Sequence, residues 1–256
     1  MRGNWTGVLA CVLFASAVGC SSEDDNSSPS AGVNSSTADE SLTTPQIEWP
    51  VEAEDAFIVE PDFTPLTLND FHTFPEAGAT DEPTWIAAGK TLNCSGTPRG
   101  YLFSKESYRN FTWRLEYRFL PPTAKPDAES PTKNKTAKSN TAKSNSGFLI
   151  YMPTEHKLWP ASLEVQGRYD EMGQIKSNSR DIKVTVRDDE QARTASRKPI
   201  GEWNAVEIVS RDGALISHIN GTKICESDPG ELTAGFIGLQ AEDFAVQFRH
   251  MRIREE

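Results

Sequence analysis

The chain has 256 residues, a quarter of them charged, and a formal net charge of −11. So acidic a protein is a poor partner for nucleic acid or for an anionic membrane surface, both of which call for cationic patches, whereas neutral sugars and cations are easier ligands. None of the four cysteines stands in a CxxC pair or a His/Cys cluster, so nothing in the sequence points to zinc.

The chain opens Met1-Arg2-Gly3-Asn4, runs apolar from Trp5 to Val18, and reaches Gly19-Cys20. A short basic start, a short apolar core and small residues before a break are the parts of an export signal. The apolar run falls short of the ~20 residues that a membrane-spanning helix needs. A cysteine directly after Val18-Gly19 resembles a bacterial lipoprotein signal, in which that cysteine is lipidated. The expectation is a signal over 1–19, a lipid at Cys20 that anchors an exported protein to a membrane, and a periplasmic or surface location. Plain secretion with a chance Cys20 is the alternative. Residues 20–45 are dominated by Ser, Asp, Asn and Pro, carry almost nothing that could form a core, and read as a disordered tether. Cys94 and Cys225 remain, either as a disulfide or as two buried thiols.

Residues 46–256 are expected to form one domain. Its first 30 residues mix proline with short apolar pieces and read as opening strands and loops. Trp85 to Cys94 reads as a hairpin turning at Gly89, and Tyr101 to Ser104 as a short strand. From Asn110 to Leu120, Phe111, Trp113, Leu115, Tyr117 and Phe119 alternate with Thr112, Arg114, Glu116 and Arg118. That strict period of two predicts a strand with its aromatics buried. Residues 121–145 contain the tandem repeat TAKSN-TAKSN and five lysines without a large apolar residue, and read as a flexible insertion between core strands.

Gly147 to Met152 and Ala161 to Gly167 are read as the next two strands. In the second, Ser162, Glu164 and Gln166 share one face while Leu163 and Val165 point the other way. Such a polar row is either an ordinary exposed sheet face or, where it lines a groove, a polyol-binding or catalytic row. Asp181 to Arg187 is read as a strand. Val206 to Ser210, Leu215 to Ile219 and Lys223 to Glu226 are joined by Asp212-Gly213 and Asn220-Gly221, both strong two-residue hairpin turns. Trp203 is expected in the core. Phe236 to Gln240 and Phe244 to Arg254 complete the strands. No stretch shows an amphipathic helix of three turns, so the fold class is all-β, a sandwich or jelly roll of antiparallel strands.

Several phrases then line up in order: Gly100 to Ser104 (GYLFS), Asn145 to Phe148 (NSGF), Leu163 to Gly167 (LEVQG), Lys198 to Asn204 (KPIGEWN), His218 to Gly221 (HING), Gly238 to Gln240 (GLQ) and Val246 to Arg249 (VQFR). Together they resemble the 3-keto-disaccharide hydrolase family, which has a concanavalin-A-like, laminarinase-like jelly roll. The stretch after Gln240, usually an Asp-His-Gly-like turn in that family, is Ala241-Glu242-Asp243 here. The phrase often found after the Glu-Val-Gln strand has no clean match in Met172 to Arg180.

The resemblance implies a carbohydrate partner and cleavage of 3-keto glycosides by elimination and hydration or by hydrolysis. Ordinary glycosidases need two facing carboxylates. Gln166 cannot ionise, so the row on this strand cannot supply both. A ketone at C3 acidifies the C2 proton, and one general base then suffices to start elimination of the C1 oxygen. The enolate needs a cation, an amide or a bound divalent metal beside it. On this reading Glu164 is the base or a metal ligand. Gln166 and Asn145 hold hydroxyls or the carbonyl oxygen, and Tyr151, Trp159 and Arg168 shape the groove. His156, in a loop, is a second candidate acid or base. A non-catalytic carbohydrate-binding module on the same fold is the alternative function, and an adhesion or scaffold protein a third.

Overall fold

The computed structural model describes residues 47–50, 55–79, 82–121 and 143–256. The expected signal, Cys20, the tether and most of the 121–145 insertion lie outside these residues. The described chain forms two antiparallel sheets packed face to face in a jelly-roll sandwich.

The larger sheet runs in the order β10 (Val186–Asp188), β13 (Thr222–Ser227), β12 (Ala214–Ile219), β11 (Asn204–Arg211), β6 (Phe111–Phe119), β15 (Val246–Glu255), β4 (Thr91–Cys94) and β3 (Trp85–Ala88), with β1 (Thr64–Pro65) beside β15. The smaller sheet runs β2 (Phe71–Pro75), β5 (Gly100–Tyr108), β14 (Gly235–Ala241), β7 (Gly147–Met152), β8 (Leu163–Gln166) and β9 (Ile175–Ser177). A single α-helix among the described residues, α1 (Glu190–Ser196), is capped by the Asp189 side chain, which accepts from the Ala192 N–H at 2.8 Å.

The period-two reading holds. Phe111, Trp113, Leu115, Tyr117 and Phe119 are all buried in the central β6, and the four intervening residues, Thr112, Arg114, Glu116 and Arg118, face the other side by alternation. From the smaller sheet, Leu102, Phe148, Ile150, Leu163, Val165 and Leu239 meet them in one core. Phe148 packs edge-on against Trp113 and Tyr117, with ring centroids 6.0 and 5.2 Å apart, a favoured aromatic geometry. At the two hairpin turns, Asp212-Gly213 and Asn220-Gly221 all have positive φ, as the two-residue turn requires.

Two readings change, and one open alternative is resolved. The strand expected from Asp181 to Arg187 is reduced to β10, because pairing with β13 covers only Val186 to Asp188. Trp203 is half-buried rather than in the core. Its ring lies under the guanidinium groups of Arg249 and Arg118, at 4.2 and 4.5 Å, so an indole face serves two cations. Cys94 and Cys225 are both buried and free. They sit on β4 and β13, five strands apart in one sheet, or ~24 Å at the usual strand spacing, far beyond the reach of a disulfide. Burial pushes the Cys94 thiol up to about 12, which keeps it protonated and inert. Alkylation of the unreduced protein should therefore label Cys94 and Cys225 in denaturant and spare both in the native state. Labelling that requires prior reduction would contradict the fold.

Candidate functional site

Residues that alternate with the core side chains of the smaller sheet project away from the larger sheet. The strand register sets them in rows. His72, Phe103, Gly238, Leu149, Glu164 and Lys176 are successive neighbours across β2, β5, β14, β7, β8 and β9. Phe74, Tyr101 and Gln240 begin the adjacent row, in which Gly147 pairs with Gln166.

The two ends of this face differ in chemistry. At the β2–β5 end, Phe74 stacks on Tyr101 at 5.0 Å, and Phe103 and Phe236 complete an aromatic floor. His156, from the loop after β7, lies on Phe103 with centroids 3.9 Å apart, its Nδ1 3.2 Å from Tyr101 Oη. Tyr101 Oη also donates to the Lys157 carbonyl at 3.1 Å, so this loop is seated on the aromatic floor. Partial burial, then the nearby His72, lowers the His156 pKa and favours its neutral form.

At the β8 end the face is polar. Glu164 is only 5% exposed. Burial raises its pKa to about 8, and the nearby Glu242 carboxylate adds to the rise, while Lys176 and hydrogen bonding to the Gln240 and Asn178 amides oppose it. Glu164 and Gln240 come from strands on either side of β7, and they meet above Gly147. A Cβ at Gly147 would overlap both Glu164 Oε1 and Gln240 Oε1. Asn145 Nδ2 donates to Glu242 Oε2 at 2.6 Å. Two buried amide oxygens here, Asn145 Oδ1 and Gln240 Oε1, accept no hydrogen bond from the protein. Buried acceptors are normally satisfied, so these two are open to donors from water or a ligand. Lys176, opposite Glu164 in the register, also contacts the Glu171 carboxylate.

The expected residues are distributed as follows. Glu164 and Gln166 share the face, but the Gln166 Oε1 accepts from the Arg168 N–H at 2.8 Å and is committed to its own turn. Arg168 forks onto Asp170 at 2.7 and 3.0 Å, with its charge still felt at Glu242. Asn145 stands at the polar end, beside Glu242. Trp159 lies half-buried in the loop after β7, with φ of 58°. Tyr151 is a correction. It is 1% exposed in the core between the sheets, its hydroxyl bonded to Ser210, and a sugar in the groove cannot reach it. The reason is a bulge: Phe236 pairs with Met152 but Gly238 with Leu149, so β7 holds one extra residue. Tyr151 takes φ of 61° there and turns inward against the alternation.

Glu242, Gln240, Lys176 and Asn178 escaped the sequence reading as site residues. The signal was present for two of them: Gly238, Gln240 and Glu242 keep one parity on β14 and its extension. Lys176 and Asn178 became relevant only through the pairing of β9 with β8. A cavity of about 430 Å³ beside β2 includes Phe74, Arg99 and Tyr101 in its wall, and Glu164 lies outside that lining. Among the described residues, no group of three or more His, Cys, Asp or Glu side chains is placed to hold a metal ion.

Two outcomes follow. A carboxyl whose folded pKa is raised from 4.5 to about 8 binds its proton more tightly when folded, so its contribution to stability falls as pH rises through that window. Glu164→Gln should thus gain thermal stability relative to the unaltered protein between pH 5 and 8, as read by Tm against pH. A pH-independent difference would mean that Glu164 is ordinarily ionised. Gly147→Ala should displace the Glu164 and Gln240 ends and cut activity at least tenfold, with a smaller effect on Tm, because flexible side-chain ends rather than backbone must yield.

Comparison with known proteins places this geometry in context. The family model described as a 3-keto-alpha-glucoside-1,2-lyase-like domain matches residues 66–254. None of the curated proteins matches. Among solved structures, two candidate glycosyl hydrolases from Parabacteroides distasonis share the fold. One is 19% identical with a TM-score of 0.51, covering 76% of this chain and 99% of that one. The other is 17% identical with a TM-score of 0.51, covering 79% and 100%. A carbohydrate binding module of Bacillus subtilis is 8% identical, with a TM-score of 0.47 over 73% of this chain and 96% of the module.

Proposed function

Because the chain belongs to the 3-keto-alpha-glucoside-1,2-lyase-like family, we propose that it cleaves 3-keto glycosides by elimination, with Glu164 as the base that takes the C2 proton. The observation that carries this reading is a deeply buried carboxylate set among amides, two of whose oxygens lack partners. A base that must abstract a carbon-bound proton works best with a pKa near the operating pH, and burial raises Glu164 from the ordinary carboxylate range towards it. The C2–H electrons pass into the C3 carbonyl to form an enolate. On this reading the positive Lys176 and the amide N–H groups of Gln240 and Asn178, which act on Glu164, stabilise that charge. Collapse of the enolate expels the C1 oxygen and leaves a 1,2-unsaturated 3-keto sugar, which water then hydrates. Asn145 Oδ1 and Gln240 Oε1 accept from sugar hydroxyls, and the aromatic floor with His156 contacts a more distant part of the ligand.

The opening sequence supports an exported protein held to a membrane by a lipid on Cys20, facing glycans outside the cytoplasm.

The test uses an aryl 3-keto glucoside beside the ordinary aryl glucoside. Only the keto substrate should react, and kcat/KM should rise with pH through about 8 as Glu164 loses its proton. Glu164→Gln should lower turnover by at least ~10²-fold with its unfolding transition retained. Survival of turnover in that variant refutes the role of Glu164. Sugar binding by calorimetry without turnover by the parent protein would instead make this a lectin-like face.

A further inference from the structure

Elimination leaves a second chemical demand unmet. An aryl leaving group departs readily as its anion, but a sugar alkoxide does not and must be protonated as the C1–O bond breaks. We propose that Glu242 is the proton donor to the leaving oxygen when the leaving group is itself a sugar. This assignment rests on the elimination reading and adds a residue to it.

Position carries the assignment. Glu242 follows β14 with the parity of Gly238 and Gln240, which directs it to the functional face. It is close enough to Glu164 for its charge to raise the Glu164 carboxyl. Asn145 Nδ2 holds one of its oxygens at 2.6 Å. The Asn145 Oδ1 is left unpartnered and buried beside it, ready to accept from a hydroxyl of the same ligand.

Other charges face the same group. Arg99, from the segment before β5, and Arg168, from the turn after β8, favour the ionised form of Glu242, while its neighbour Asp243 disfavours it. Asp243 is itself paired with Arg99, at 2.9 Å from its Nε. Burial is the largest influence and favours the protonated form.

The proton count closes with both residues in place. Glu164 carboxylate takes the C2 proton. The C1–O electron pair goes to the leaving oxygen, which receives the Glu242 proton. In the second half, water enters at C1 and gives a proton to the Glu242 carboxylate, while Glu164 returns its proton to C2. The net change is hydrolysis of the glycosidic bond, and each carboxyl ends as it began.

The experiment compares two substrates, an aryl 3-keto glucoside and a 3-keto disaccharide, in the full-length protein. With the unaltered protein, kcat/KM for the disaccharide should pass through a maximum and fall at high pH, because its cleavage needs Glu164 ionised and Glu242 protonated together. For the aryl substrate it should rise to a plateau. Glu242→Gln, which preserves size and the hydrogen bond to Asn145, should lose ~10²-fold more rate on the disaccharide than on the aryl substrate and lose the high-pH fall. It should also shift the aryl profile to lower pH, since a negative neighbour of Glu164 has gone. Equal losses on both substrates, or matching pH profiles for both in the unaltered protein, would overturn the assignment while leaving Glu164 as base. The pH comparison stands even if the variant fails to fold. Turnover of neither substrate by the unaltered protein would end the elimination reading, and the role of Glu242 with it.

Discussion

Glu164 and Gln240 reach one another across an intervening strand, and that approach depends on the missing side chain of Gly147. With any larger residue there, the two polar ends would be parted by a methyl group or more, and the carboxyl would lose the Gln240 amide. A buried polar group needs its partners close, since the low dielectric that strengthens a hydrogen bond also raises the cost of losing one. Leu149, two residues on and fully buried, is the apolar neighbour of this polar end on the same strand. The reactivity proposed for Glu164 thus has its origin in a constraint on backbone approach, two strands wide.

The opposite sheet is managed differently. Its outer side carries arginines on β6 and β15 that pair with carboxylates from the segment preceding β1. Arg252 holds Glu60 with a 2.8 Å bond and Arg114 reaches the same carboxylate at 3.1 Å. The Arg252 guanidinium beside it holds the Glu60 carboxyl down to about 2, so it stays ionised at any ordinary pH. These pairs are partly exposed and contribute modestly to stability. Their effect is positional: they fasten the approach to the domain against the larger sheet, away from the face that carries Glu164.

Much of this was legible because a sheet obeys local rules. The alternation of Phe111 to Phe119 gave a central strand, and the Asp-Gly and Asn-Gly pairs gave two turns. The parity of Leu163 and Val165 gave the inward face of β8 and hence the outward face of Glu164. Parity failed at Tyr151, where one extra residue reversed its side, and no residue type announces such a bulge. Trp203 was misplaced because size and apolarity predict burial, whereas a ring can also be covered by cations. Lys176 and Asn178 could not be seen at all. Their relation to Glu164 exists only in the pairing of β9 with β8, and pairing between strands is non-local information.

The row from His72 to Lys176 behaves as a ruler. Its marks are strands, ~4.8 Å apart, and hydrogen-bonded ladders keep that interval from stretching. The distance from Phe103 to Glu164 is three marks, ~14 Å between their backbone positions, whatever the side chains do. A ligand lying across the strands is therefore gauged against a fixed length. Descendants of this scaffold could change what is measured by altering the loop that seats His156 or the turn that carries Glu242, but changing the interval itself would require inserting or deleting a whole strand.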